Sequence, residues 1–489
     1  MSAKVARVII AVFDGLRPDR ISEALTPNLN RFMSEGLWYR GARSVFPSMT
    51  RVATTSFATG SHPTRHGVVN NAFFHPAIDG GDPLDTSRAA HIRAANAWHD
   101  GGFVEAAGIG CALAAAGKRL AVVHSGSAGS AWLLSHRAGE LGHWTFSIHG
   151  REHTDTPEVV DQAVERFGPL PGGKTPKLEE ASYATRVLTE LVLPEVQPDV
   201  AIIWYSEPDT SYHFHEIGSP ESDTATAHVD ACFGRIVDMV RASEQADETL
   251  LIVMSDHGQI STTSAFDLVG ALRERGFAAG YRGETGVEVL VTPGSAAGLT
   301  LLDGDASRLQ ALGAALMEMP ETGLLFCGTG EDGEPVITGA FDRALAGAEH
   351  ARSPDIYWVG RSSPEADEHG LAGAGVYTTG VNVPVGGGMH GGLNPFEMNT
   401  VLAFGGAAMP AAMVNDHANL TDIAPTVLAV LGIDRPDTMT GRPLDRVIGK
   451  AAPELREIRL EAGSGDFRQY LVLAADDGRQ SFPLSGGRL

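Results

Sequence analysis

The chain has few cysteines, an underweight of positive charge and no long apolar run. Three cysteines in 489 residues, Cys111, Cys232 and Cys327, are too few and too scattered for a disulfide framework or a cysteine-ligated zinc site. Their odd number fits a reducing compartment. Only 37 lysines and arginines stand against 60 acidic residues, a formal net charge of −23. A surface that coats nucleic acid or an anionic membrane needs a basic patch, so both partners are disfavoured. A small phosphorylated substrate is not, because bound cations reverse the field locally. No stretch approaches the ~20 apolar residues of a membrane span. The apolar run Val8–Phe13 is too short for a signal peptide and stops at Asp14. The expectation is a soluble, cytoplasmic protein without a membrane or nucleic-acid partner.

What is present is a set of short apolar runs that each end in Asp or His. Val8–Phe13 runs into Asp14-Gly15, Val200–Tyr205 into Glu207-Pro208-Asp209 and His213, and Leu250–Met254 into Asp256-His257-Gly258. Unbroken apolar runs of this length are what strands buried on both faces of a parallel sheet require. The carboxyl ends of such strands form the ligand crevice of an open α/β sheet. An Asp-Gly pair alone is an ordinary turn; three strand ends with carboxylates and imidazoles point to a metal site. Glycine at 258 lets neighbouring Asp and His approach closely. His390, framed by Gly386–Gly388 and Gly391-Gly392, adds a third imidazole on a flexible backbone.

Between the first two runs lies Ser44–Val52, centred on Thr50. Pro47 favours an extended residue before it, and the Thr-rich stretch to Gly60 predicts a short helix. Thr50 then stands at the helix N-terminus, where free N–H groups and the dipole favour an anion. Helix capping is the commoner role for a lone threonine there. Helices are also expected over Phe103–Gly117, Leu178–Leu193 and about Thr224–Val240, from apolar spacing. Residues 79–150 read as a lid, a substrate-facing loop or outer packing. From 260 to 384 glycine and proline punctuate short patterns, read as an inserted cap subdomain. The core then comprises residues 1–259 and 385–448, and residues 449–489 form a β-hairpin extension at an edge or subunit contact, which leaves room for a homo-oligomer. The fold class is α/β, a doubly wound, mostly parallel sheet flanked by helices.

Asp14, Asp209, Asp256, His213, His257 and His390 supply three carboxylates and three imidazoles, and Thr50 an oxygen. That set suits two adjacent divalent ions, and without thiolates it suits zinc or manganese. Two ions bring +4 against −3 from the carboxylates, and a Thr50 alkoxide brings the centre to zero. In-line displacement follows, with Thr50 attacking phosphorus and a covalent phosphothreonine then hydrolysed. The N–H groups of Thr50 and Arg51 and the Asn71 amide are expected on the non-bridging oxygens. The direction of the Arg51 side chain, to substrate or to a carboxylate, is open.

The ordered set Asp14-Gly15, Phe46-Pro47 with Thr50, His66-Gly67 with Asn71, Glu207-Pro208-Asp209 with His213, Asp256-His257-Gly258 and His390-Gly391 resembles the alkaline phosphatase superfamily. Within it, the set is most similar to the nucleotide pyrophosphatase/phosphodiesterase branch and to phosphonoacetate hydrolase. The resemblance implies one metal site of Asp14, Thr50, Asp256 and His257, and another of Asp209, His213 and His390. It also implies Thr50 as nucleophile, Asn71 as the phosphoryl-contacting amide, and a cap inserted between the Asp-His pair and the last histidine. Tyr212 stands where the family carries glycine, and is expected to crowd or line the second site. Phe46–Arg51 lacks the Cys/Ser-x-Pro-x-Arg pattern of sulfatases. The leading expectation is a two-metal phosphodiesterase acting on a small phosphorylated substrate. Phosphonate C–P hydrolysis, phosphomonoester hydrolysis and a non-catalytic metal- or phosphate-binding role are the alternatives.

Overall fold

The structure is a computed structural model that describes residues 5–407, 409–453, 455–475 and 481–489. Its centre is an eight-stranded sheet. In chain order the strands are β1 (Arg7–Phe13), β2 (Leu37–Arg43), β3 (Leu120–His124), β4 (Trp144–Ser147), β5 (Val200–Tyr205), β6 (Thr249–Met254), β7 (Leu402–Gly406) and β8 (Ala412–Asn419). Their spatial order is β8-β2-β7-β6-β1-β5-β3-β4. All run parallel except β7, which is antiparallel to both of its neighbours.

The apolar runs occupy the middle. β5 and β6 are buried along their whole length and β1 from Val8 onward. Alternate residues of β1 enter different cores, as the two-residue strand period requires. Val8, Ile10 and Val12 pack with Val52, Ala53 and Phe57 of the Thr50–Thr59 helix. Ile9, Ala11 and Phe13 pack on the other face with Leu29, Phe32 and Phe233. Each large side chain buried this way stabilises by about 1.5–3 kcal/mol. Helices therefore cover both faces, the doubly wound arrangement expected.

Register fixes where the chain turns. Phe13 pairs with Tyr205 and Val12 with Met254, so β1, β5 and β6 end level at one edge. β2 ends at that edge too and leads into Ser44. Antiparallel β7 begins there, with Leu402 opposite Met254, so the chain returning from the inserted residues passes the same edge before it enters the sheet.

Several elements differ from expectation. The helix expected from Phe103 begins at Ile109, because Gly108 holds an extended conformation at its N-cap. The Leu178 helix is α-helical to Arg186 and π-helical over Val187–Val196, with Pro194 unable to donate within it. The third runs Pro220–Ala242, longer than its apolar stripe, since Ser219 caps it by accepting the Ser222 N–H.

Residues 260–389 make two further sheets, of six and four strands. Entry and exit are tied together: Gly388 and Met389 pair with Ser261 and Ile260. One side of the six-stranded sheet joins the main core through Phe326, Tyr357 and Val359, while Leu299 and Trp358 face a core of its own. Arg456–Ser464, Phe467–Ala475 and Phe482–Arg488 form a three-stranded antiparallel sheet, one strand more than the expected hairpin. Its Gln469 accepts the Leu325 N–H at 2.9 Å, which docks it on the inserted segment. Among the described residues no helix is long and apolar enough to cross a membrane.

Candidate active site

Every candidate ligand but His390 leaves the main sheet at its carboxyl edge, and His390 follows Gly388–Met389 of the four-stranded sheet. Asp14 follows β1 directly and Asp256 and His257 follow β6. Asp209 opens a short helix after β5, which sets His213 one turn on, on the same face. Thr50 is the first residue of its helix, behind the extended Met49. A Cβ at Gly258 would stand 2.2 Å from the Phe396 carbonyl oxygen, so only glycine permits this turn. Gly391 has φ +129° and would meet Met49. The His390 loop is stitched to the Thr50 loop by Ser48, whose hydroxyl donates to Gly392 O at 2.8 Å and accepts the Gly391 N–H at 3.1 Å.

These segments bring the side chains together. His257 Nε2 lies 3.1 Å from Asp256 Oδ2, 3.1 Å from Thr50 Oγ1 and 3.4 Å from Asp14 Oδ1. Asp209 Oδ1 lies 3.2 Å from His213 Nε2 and 3.5 Å from His390 Nε2. The His257 and His390 rings stack with centroids 3.6 Å apart. Asp14, Asp256 and His257 form one compact group, and Asp209, His257 and His390 another, each with ligand atoms within 4.8 Å. His213 belongs to neither group and touches the second through Asp209.

The second layer decides what these atoms can bind. Asp14 Oδ2 accepts the Trp204 Nε1–H at 3.0 Å and Asp256 Oδ1 the Gly15 N–H at 3.1 Å. The other oxygens, Asp14 Oδ1 and Asp256 Oδ2, are buried without a hydrogen-bond partner and face His257. Each histidine has its Nδ1 on a backbone carbonyl: His213 on Gly388 at 2.6 Å, His257 on Gly258 at 3.0 Å, His390 on Ser48 at 2.8 Å. That fixes the tautomer in which Nε2 is the free lone pair, the usual arrangement of a metal-ligating imidazole. Orphaned buried carboxylate oxygens are costly unless a cation meets them. Oxygen and imidazole donors without thiolate suit zinc or manganese, so the residues fit divalent ions.

The charges read the same way. Burial, with Asp256 and Asp209 nearby, pushes the Asp14 carboxyl well above its usual range. Burial would also raise Asp209, but His213, His390 and His257 hold it below the ordinary carboxylate range. His390 is driven well down by burial and by His257. For His257 and His213 burial is outweighed by Asp256 and Asp209 respectively, which raise them.

Two expectations need revision, and the open direction of Arg51 is answered. The Arg51 N–H donates to Asn71 Oδ1 at 3.1 Å, so it is not free for a phosphoryl oxygen. Tyr212 neither crowds nor lines the second site: it points to the far side of its helix, fully buried, with its hydroxyl 3.4 Å from Thr226 Oγ1. Among the described residues the Arg51 guanidinium is paired with no carboxylate; its Nε is buried without a partner, and Asp85 is the strongest of the acidic groups acting on it. Sequence reasoning also passed over Ser48, Trp204, Gln259 and Glu397. Gln259 donates to Asp209 Oδ1, and Glu397 accepts the N–H groups of Gly392 and Asn394 at 2.9 and 3.1 Å. Their only sequence signal is adjacency to the motifs they support.

Thr50, Arg51 and Asp209 lie where two clefts meet. The larger, about 510 Å³, runs past Asp14 to Arg88, Ser127, His149 and Lys177. Residues 79–150 thus supply both sheet strands and a wall of this cleft. The smaller, about 280 Å³, is bounded by Asn71, His213 and His390 and by Pro293, Val381 and Val383 of the inserted segment.

A family profile described as type I phosphodiesterase / nucleotide pyrophosphatase matches residues 8–362. Ectonucleotide pyrophosphatase/phosphodiesterase family member 7 of Rattus norvegicus is 24% identical over 265 residues, 54% of this chain and 52% of that protein. A bis(5'-adenosyl)-triphosphatase of Xenopus laevis is 25% identical over 267 residues, 53% and 48% of the two chains. The chain spans about half the length of the curated relatives it matches. The structure of murine ectonucleotide pyrophosphatase/phosphodiesterase 5 superposes with a TM-score of 0.61 at 18% identity, over 88% of this chain and 96% of that one. An inactive form of that murine protein is in complex with AMP. The chain belongs to the type I phosphodiesterase/nucleotide pyrophosphatase family, within the alkaline phosphatase superfamily.

Proposed function

We propose that this member of the family hydrolyses phosphate diesters through Thr50 as covalent nucleophile. One observation carries the reading: the Thr50 hydroxyl stands at a helix N-terminus, 3.1 Å from His257 Nε2, beside the two orphaned carboxylate oxygens. Asp14, Asp256, His257 and Thr50 would hold one divalent ion and Asp209, His213 and His390 the other, zinc first and manganese second. Such ions supply the positive charge that lowers the pKa of a hydroxyl and offsets charge on a leaving oxygen.

The chain's own groups do the rest. Thr50 Oγ gives an electron pair to phosphorus while the bond to the opposite ester oxygen breaks, and that oxygen leaves with the pair. The Thr50 hydroxyl proton ends on the departing oxygen, which leaves as the alcohol. Water then attacks the phosphothreonine, one of its protons passes to Thr50 Oγ as that bond breaks, and the phosphate monoester is released. Asn71 Oδ1 is committed to the Arg51 N–H, which leaves Nδ2 as the donor for a non-bridging oxygen. Ser48 and Glu397 keep His390 in register with Thr50 by holding the backbone that follows it, Gly391 to Asn394. The three unpaired cysteines support work in a reducing compartment, which suits a cytoplasmic enzyme.

The test is turnover by zinc- and manganese-loaded protein of matched p-nitrophenyl esters: a phosphate diester, a phosphate monoester and a phosphonate monoester, with phosphonoacetate beside them. The reading expects kcat/KM highest for the diester. Preference for the monoester, or release of phosphate from phosphonoacetate with poor diester turnover, would replace it.

A further inference from the structure

The two clefts that meet at Thr50 differ in chemistry, and a diester has two arms. The smaller cleft is lined by Met49, Pro293, Val381, Val383 and Met389, with Asn71 and Asp85 among them. The larger is walled by Arg88 and Lys177, with His149 and His153, and shares Arg51 with the smaller. Its only carboxylates are Asp14 and Asp209, already assigned to the ions. In a chain of net charge −23 such a concentration of cations is not a sample of the general surface.

Two nitrogens of this wall have no partner among the described residues. Arg51 Nε and His153 Nδ1 are both buried without hydrogen-bond partners. The ten-residue helix Ala89–Trp98 opens at the cleft without a side-chain cap, so its first N–H groups face it. His149 donates from Nε2 to Gly126 O at 2.9 Å, which fixes its ring in the wall. Among the described residues the cleft is lined by no Phe, Tyr or Trp, and its only rings are the imidazoles of His149 and His153.

We infer that the larger cleft is a subsite for a second anionic group, a phosphate or a carboxylate, carried on one ester arm of the substrate. The inference rests on the diesterase reading and narrows its substrate class. The apolar arm occupies the smaller cleft, and the anionic arm reaches Arg88 and Lys177.

Three p-nitrophenyl phosphodiesters with methyl, 2-carboxyethyl and 2-phosphoethyl second arms test this, on metal-loaded wild type and on Arg88→Gln/Lys177→Gln. Both residues are outside the core, so the variant folds as the parent does. At low salt kcat/KM for at least one anionic arm should exceed that for methyl by roughly tenfold or more, and the ratio should fall toward one in the variant and in high salt. Which anionic arm is preferred tells phosphate from carboxylate. A wild-type ratio near one, or a ratio unchanged by the double substitution, overturns the inference and leaves the diesterase reading in place. No turnover of any of the three by protein with full metal content overturns that reading, and the inference falls with it.

Discussion

The two sides of the active-site cleft come from regions built in different ways. The carboxyl edge of the main sheet is rigid, buried and chemically incomplete: strands whose backbone groups are all paired deliver carboxylate oxygens that are not. The inserted residues 260–389 have two sheets and a core of their own, join the main core along one side, and offer the reaction only a wall. The bond-breaking groups are therefore all on the sheet side, and the insertion contributes to binding alone. Substitutions on the two sides should fail in different kinetic parameters.

The largest effect belongs to the sheet edge. Thr50→Ala should lower kcat on the order of 10³-fold or more, with metal content retained, because the remaining six ligands still close the ion sites. Thr50→Ser should recover a measurable part of it. Equal activity of wild type and Thr50→Ala would end the distinction drawn here.

Stripping the ions should expose the incompleteness directly. The metal-free protein carries Asp14 and Asp256 with unpaired buried oxygens, so its melting temperature should drop on chelation. Metal-free Asp14→Asn should be more stable than metal-free wild type by about 1–3 kcal/mol, since an unpaired buried charge is removed. The loaded wild type should exceed both in calorimetry. A variant less stable than wild type in both states would mean Asp14 is a structural carboxylate.

On the insertion side, Val381→Ser/Val383→Ser should raise KM roughly 3–30-fold for a diester with an apolar arm and leave kcat within about threefold. A loss in kcat instead would place the insertion in the chemistry.

How much of this was legible follows the same division. β1, β5 and β6 are unbroken apolar runs because both their faces are covered, and their ends announce Asp14, Asp209, Asp256 and His257. β2 was not legible: Arg40 and Gly41 interrupt Leu37–Arg43, and Tyr39 and Gly41 flank a register shift against β8. Nor was β8, an edge strand whose apolar first residues, Ala412 and Met413, are exposed and whose middle is the polar Asn415-Asp416-His417. β4 is four residues long. The side on which Tyr212 falls depends on the helical phase after Pro208, and the pairing of Arg51 N–H with Asn71 on a contact twenty residues apart. Neither leaves a local pattern. In the insertion, strands of two to seven residues among glycines give no period to follow.

The smallest effect sits between the two regions. Glu397, on the turn Pro395–Met398, is raised to about 7 by burial, against the N–H groups of Gly392 and Asn394 that lower it. Its folded pKa lies above the unfolded value, so its contribution is full below pH ~4.5 and declines as pH rises through about 7. Glu397→Gln removes that dependence, so between these pH values the variant should gain on wild type by on the order of 1–3 kcal/mol in denaturant titrations. A constant difference across the range would show that Glu397 does not titrate there.

The central claim is that Thr50 forms and loses a bond to phosphorus. It is tested most directly by the stereochemical course of hydrolysis of a diester made chiral at phosphorus with sulfur and oxygen-18. Two in-line displacements, first by Thr50 and then by water, predict net retention. Net inversion would mean a single attack by water, and would contradict Thr50 as the nucleophile.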